Sequence, residues 1–182
     1  MATSAEEQLV KYLTDAHAME EQSVQLLEKG SQIIGDEEIA RIYRAHLMQS
    51  KEHREHILKR LEAHGESPSK LKDAAMKTGA IGIGGVALAA PDTPVKLSAA
   101  AFAFESLEIA SYRLLRRLAD RTGDTETASV VDRILEQEEA AAELVEGTFD
   151  RALEVTLGEP PSSPVTPVTP IGKPSKRPRE AQ

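Results

Sequence analysis

The segment from Phe102 to Leu115 reads as helix, yet it sets two acids, Glu105 and Glu108, where a packed helix buries apolar side chains. Steps of three and four residues place Leu97, Ala101, Phe104, Glu108, Ser111 and Leu115 on one stripe. Glu105 falls about a turn before Glu108 and Tyr112 about a turn after. Three other helical stripes carry similar intruders. Glu20 lies between Ala16 and Leu27, and Glu138 lies between Ile134 and Ala141. His46 and His53, separated by Gln49 and Ser50, interrupt the run Ile39, Ile42, Tyr43 … Ile57, Leu61, with His56 near the same face. Acids are rarely buried unless paired or bound to a metal. Taken singly, each of these residues has an ordinary role, as an acid at the edge of a face or a hydrogen-bonded core histidine. Several imidazoles and carboxylates in one zone point instead to ligation.

Spacing tests whether they meet. Glu20 stands 15 residues before Gly35, and His53 stands 17 after Asp36. At a rise of ~1.5 Å per residue, the two lie within about one turn of each other on an antiparallel pair. Glu108 stands 15 residues before Gly123 and Glu138 stands 14 after Asp124, so that pair is nearly level. Packing the two hairpins around one core gathers Glu20, His53, Glu105, Glu108 and Glu138. Four uncompensated carboxylates there would repel one another and resist desolvation. One or two cations would offset both costs, and oxygen with imidazole suits iron or manganese ahead of zinc. A polar core with shared protons and buried water is the other arrangement these residues allow.

The elements that must position them are four helices. The first starts after Ser4, with Glu7 completing a capping box, and ends near Ile34. The second runs from about Glu37 to His64 and stops at Gly65. A third begins near Thr93-Pro94, capped by Asp92 or Thr93, and runs to about Arg121. The fourth begins at Asp124 or Thr125 and continues to about Leu157, before Gly158. Residues 66–96 connect the second and third, with a short helix predicted from Ser67 to about Met76 and a glycine-rich stretch after it. So long a connection is expected when it crosses between distant helices. Its Gly-x-Gly-Gly is no phosphate loop, since no strand precedes it. Two antiparallel hairpins joined by such a crossover make an all-α, ferritin-like four-helix bundle over residues 1–158.

Residues 159–182 hold 7 of the 10 prolines and end Lys-Pro-Ser-Lys-Arg-Pro-Arg-Glu-Ala-Gln, the composition of a disordered tail. The chain has no cysteine, which excludes disulfides, thiolate metal sites and thiol catalysis. A net charge of −8 argues against nucleic-acid binding by the folded part, leaving the basic end of the tail as its one candidate contact. No stretch is long and apolar enough to span a membrane, and Met1 to Gln8 lacks the basic and apolar regions of a signal peptide. A cytoplasmic protein is expected.

Particular motifs narrow this. The runs Asp15–Gln22 (DAHAMEEQ), His53–His56 (HREH), Ser67–Asp73 (SPSKLKD) and Ala101–Leu115 (AFAFESLEIASYRLL) are similar to those of the YciE/YciF-type ferritin-like family, stress-associated in bacteria. Gly123–Ala128 (GDTETA) and Leu135–Glu143 (LEQEEAAAE) complete the resemblance, which covers nearly all of the chain except the tail. It implies a ferritin-like bundle, often dimeric, with a dinuclear metal centre and a poorly defined activity, matching Glu20, His53, Glu105, Glu108 and Glu138 as the metal positions. The Glu-x-x-His that ferritin-type di-iron centres carry on two helices is missing. Ser50 stands three before His53, and Ala141 stands three after Glu138. A non-enzymatic stress or assembly protein with a degenerate site is the competing expectation.

Overall fold

The computed structural model describes residues 4–66, 92–161 and 164–167. Among them, α1 spans Ala5–Ile33, α2 Glu37–Ala63, α3 Thr93–Thr122, α4 Thr125–Glu146 and α5 Phe149–Leu157. There is no strand among the described residues, and the architecture is the expected all-α, ferritin-like four-helix bundle.

Local sequence sets the ends of these helices. Ser4 Oγ accepts from the Glu7 backbone N–H at 3.1 Å, and Glu7 Oε2 accepts from the Ser4 N–H at 2.9 Å, closing the capping box. Asp36 Oδ1 caps α2 by accepting from the N–H groups of Glu38 and Ile39. Asp92 is the N-cap of α3 but makes no side-chain cap bond, and Pro94 follows in the first turn. The two hairpin turns pass through Gly35 and Gly123, at φ 76° and 74°, a left-handed conformation that costs glycine little.

Two apolar clusters fill the bundle, one toward each end. Leu9, Leu13, Ile57, Leu61, Leu115, Ala119, Ala128 and Val131 join the start of α1, the end of α2, the end of α3 and the start of α4. Leu27, Ile34, Ile39, Tyr43, Leu97, Ala101 and Val145 join the opposite ends of the same helices. α1 is therefore antiparallel to both α2 and α3, and α2 ends where α3 does rather than where α3 begins. The end of α2 and the start of α3 thus lie at opposite ends of the bundle; residues 67–91, on which the expected crossover and its short helix fall, lie outside the described residues.

The fourth predicted helix differs from its expectation. It is two helices, α4 and α5, with Gly147 and Thr148 between them. The buried Thr148 hydroxyl donates to the Val145 carbonyl at 2.6 Å and lies 3.3 Å from Ser98 Oγ, while the Thr148 carbonyl accepts from Ala152 N–H. A hydroxyl that bonds back to the backbone competes with continuous helix. Phe149, the first residue of α5, is half-buried and packs edge-on against Phe102 with ring centroids 5.6 Å apart. Ser111 is likewise half-buried, while its neighbour Tyr112 is fully enclosed. Beyond α5 the chain carries no helix or strand among the described residues, but part of it docks. The Val165 N–H donates to Glu38 Oε1 at 2.8 Å, and its side chain packs against the second apolar cluster. The basic end of the tail lies outside the described residues.

Candidate metal centre

Between the two apolar clusters the interior turns polar. Glu20 comes from α1, His46 and His53 from α2, Glu105 and Glu108 from α3, and Glu138 from α4; all six are at most 3% exposed. The five residues singled out in the sequence therefore meet, and His46 joins them. Its signal was legible: seven residues from His53, it faces the same way two turns earlier, at a rise of ~10.5 Å. The rings converge on opposite oxygens of one carboxylate. His53 Nδ1 lies 2.8 Å from Glu138 Oε1 and 3.6 Å from Glu20 Oε1. His46 Nε2 lies 3.4 Å from Glu138 Oε2 and 3.0 Å from Glu105 Oε2. His56, half-buried, does not reach this cluster.

These residues form two groups that share Glu138: Glu20, His53 and Glu138, and then His46, Glu105, Glu108 and Glu138. Within each group the potential ligand atoms lie within 4.8 Å of one another. Ions bound at ~2.1 Å by nitrogen and oxygen hold neighbouring ligand atoms about 3 Å apart, the scale seen here. Glu20 Oε2, His46 Nε2, His53 Nδ1, Glu105 Oε2, Glu108 Oε1 and both Glu138 oxygens are buried without a hydrogen-bond partner. The ring nitrogens are close to carboxylates, yet not aligned to donate to them. Buried polar atoms left so cost about 1–3 kcal/mol each, more when charged. Unpartnered oxygen and nitrogen atoms this close together suit a cation between them. The donor set is oxygen and imidazole, which suits iron and manganese.

Charge gives the same answer. Four carboxylates face two imidazoles, and among the described residues no Lys or Arg forms an ion pair with any of the four. Burial, reinforced by Glu138, Glu20 and Glu105, pushes the Glu108 carboxyl well above the usual carboxylate range. Burial lifts Glu105 to about 7 despite the opposing pull of His46. Burial also raises Glu20, against the pull of the nearby His53 imidazole and of the Tyr112 hydroxyl. For Glu138, burial acts upward but the two imidazoles outweigh it and hold its carboxyl low. Burial lowers His53, but Glu138 and Glu20 more than reverse that, lifting it to about 10; His46 is raised in the same way by Glu105 and Glu138. Without a cation, the pocket balances its charge with protons.

Hydroxyls brace the set. The Tyr112 hydroxyl donates to Glu20 Oε1 at 2.5 Å, and Glu20 Oε2 is buried without a hydrogen-bond partner. Ser23 Oγ reaches Glu108 Oε2 at 3.5 Å and Ser50 Oγ at 3.3 Å. Ser50, in the position a Glu-x-x-His would give to glutamate, instead donates to the His46 carbonyl at 3.3 Å. Four carboxylates and two histidines are still assembled, with both histidines on α2.

A bundle of this topology with this polar layer defines a ferritin-like protein with a candidate carboxylate–histidine metal centre. Residues 4–156 match the family described as a domain of unknown function, DUF892, and the chain belongs to that family. The YciE/YciF-type resemblance read from the motifs agrees with it. The fold is similar to that of a Xanthomonas campestris pv. campestris protein, at 28% identity over 85% of this chain and 96% of that one, with a TM-score of 0.67. It is also similar to the E. coli stress protein YciF, at 22% identity over 87% of this chain and 100% of that one, TM-score 0.65. A third neighbour, YcfI of Rhodopseudomonas palustris, is 22% identical over 79% of this chain and 94% of that one, TM-score 0.63.

Proposed function

We propose that this protein binds two transition-metal ions, iron or manganese, in the middle of its bundle. Glu138, which both groups share, would serve both ions; Glu20 and His53 would hold one with it, and His46, Glu105 and Glu108 the other. The observation that carries the reading is the set of buried, convergent oxygen and nitrogen atoms without hydrogen-bond partners. Two divalent ions carry the charge that four carboxylates need, and their binding displaces the protons otherwise held there. Bound iron or manganese supplies redox chemistry toward dioxygen or peroxide. The protein's part is to hold the carboxylates apart, orient the imidazoles and keep the apolar clusters closed on either side.

A stress-related role in the cytoplasm extends what the name of the E. coli neighbour says of that protein. It accords with the finding that no helix among the described residues is long and apolar enough to cross a membrane. A homodimer has an apolar surface available in Leu107 and Leu114, exposed two turns apart on α3. The test of the metal reading is elemental analysis of the purified protein before and after aerobic loading with ferrous iron. Two irons per chain are expected, with the His46-side ion lost in Glu108→Ala. No retained metal under any loading would sink the reading and favour a metal-free stress or assembly scaffold, for which the missing Glu-x-x-His speaks.

A further inference from the structure

We infer that Gln49 and Gln137 are positioning residues that choose which nitrogen of each histidine faces the metal, an inference that rests on the two-metal reading above. Each buried imidazole has one nitrogen in the carboxylate cluster and the other against a glutamine side chain. His53 Nε2 lies 2.6 Å from Gln137 Oε1, and His46 Nδ1 lies 3.1 Å from Gln49 Oε1. An amide oxygen only accepts, so the nitrogen facing it carries the proton. A neutral imidazole with that proton fixed has a lone pair at its other nitrogen. Those nitrogens are His53 Nδ1 and His46 Nε2, the two that are buried without a hydrogen-bond partner.

The two arrangements differ, and the backbone explains why. Gln49 lies three residues after His46 on α2, so it meets its ring from the same helix, and the ring presents Nε2 inward. Gln137 reaches His53 across the bundle from α4, immediately before the shared Glu138. His53 thus presents Nδ1. Gln137 is itself exposed, and nothing in its burial would call for a buried partner. Its exposure also makes it replaceable without disturbing the core. Partners of this kind fix the tautomer and orientation of metal-bound histidines, and losing one typically weakens metal binding 10–100-fold.

The experiment uses the full chain with 15N-labelled histidine and Zn2+ alone as a diamagnetic probe. In the wild type, nitrogen NMR should show His53 bound through Nδ1 and His46 through Nε2, each with a slowly exchanging proton on the other nitrogen. Gln137→Leu should weaken Zn2+ binding on the order of 10–100-fold and speed exchange of the His53 proton while leaving the His46 signals unchanged. Gln49→Leu should do the converse, and Gln137→Glu, which keeps an acceptor oxygen, should restore binding. Wild-type Zn2+ binding with unchanged affinity and NMR in both leucine variants overturns the role of the glutamines alone. Binding of His53 through Nε2 does the same. A wild-type chain that binds neither Zn2+ nor Mn2+ overturns the metal reading and this inference together.

Discussion

Acids and bases are brought together both at the α2–α4 end and at mid-bundle, and these two clusters are built differently. At the α2–α4 end, Arg60 donates from Nε to the Thr127 hydroxyl at 2.9 Å, from Nη2 to Asp124 at 3.2 Å and from Nη1 to Glu126 at 2.5 Å. Asp124 also receives His64 Nε2 at 2.8 Å and caps α4 through the Thr127 N–H at 2.9 Å. Each carboxylate there has a donor aimed at it, and the guanidinium is permanently charged. At mid-bundle the acids outnumber the bases, and the close atoms are not aligned as donors and acceptors. The acids answer accordingly. Burial would raise Asp124, but the Thr127 hydroxyl and N–H, with His64 and Arg60, outweigh it and hold the carboxyl well below its usual range. Glu108, faced by the Ser23 hydroxyl at 3.5 Å but by no guanidinium among the described residues, is pushed the other way by burial and its neighbouring carboxylates. The guanidinium-paired cluster ties helices together, while the mid-bundle cluster, with imidazoles alone as its bases, is the candidate metal centre.

The strongest way to break this contrast is to remove the residue the two groups share. Glu138→Gln should abolish stoichiometric metal binding at both groups, whereas Glu20→Gln should remove only the His53-side ion, as read by isothermal titration with Mn2+. Metal bound only to the folded chain stabilises it by about 2.7 kcal/mol at a free concentration 100 times its Kd. For a domain of this size that is roughly 5–10 °C in Tm, lost on adding chelator. Glu138→Gln should melt at the same temperature with and without chelator. A full chelator response in that variant would show the ions to be elsewhere.

The end clamp should behave as structure and not as a site. Because the folded chain keeps Asp124 ionised to lower pH than the unfolded chain does, its contribution is complete above ~3.9 and is lost as pH falls through the depressed folded value. Asp124→Asn keeps an oxygen for the cap but gives up the charge. Its loss of stability relative to wild type should be full near pH 7 and shrink toward pH 2, by urea melts at each pH, with metal stoichiometry unchanged. A pH-independent difference would mean that the cap, not the ion pairs, carries the stabilisation.

Helix period and turn chemistry were enough to read four helices, the hairpin turns at Gly35 and Gly123 and the level at which the acids meet, because these are local properties of the chain. The buried acids and His53 were legible from their place on otherwise apolar stripes, and His46 was legible as a residue of the same α2 face, though it was not among the five set down as metal positions. No Glu-x-x-His marks it; the second imidazole comes from two turns away on the same helix. The break at Gly147 was not legible, since residues 125–157 keep a helical period throughout. What ends α4 is the Thr148 hydroxyl, bonded back to the Val145 carbonyl and set against Ser98 of α3, with the Thr166 carbonyl lying where a side chain on Gly147 would point.

That last contact offers the finest test, at the opposite end of the bundle. There Asp36 repeats the logic of Asp124, capping α2 while pairing with Arg151 at 2.7 Å, and the neighbouring Glu38 accepts from the tail at Val165. Gly147 has helical torsions, so alanine would fit its backbone, but a Cβ would lie 2.3 Å from the Thr166 carbonyl oxygen. Gly147→Ala should therefore lift residues 164–167 off the body. The helix gains up to ~1 kcal/mol from the substitution, which offsets part of the lost packing, so Tm should move by only a few degrees. Protease cleavage between 158 and 170 should rise several-fold while metal stoichiometry holds at the wild-type value. If cleavage is unchanged, the tail is not held at Gly147; if metal binding falls as well, this end of the bundle is coupled to the centre and the separation between clamp and site does not hold there.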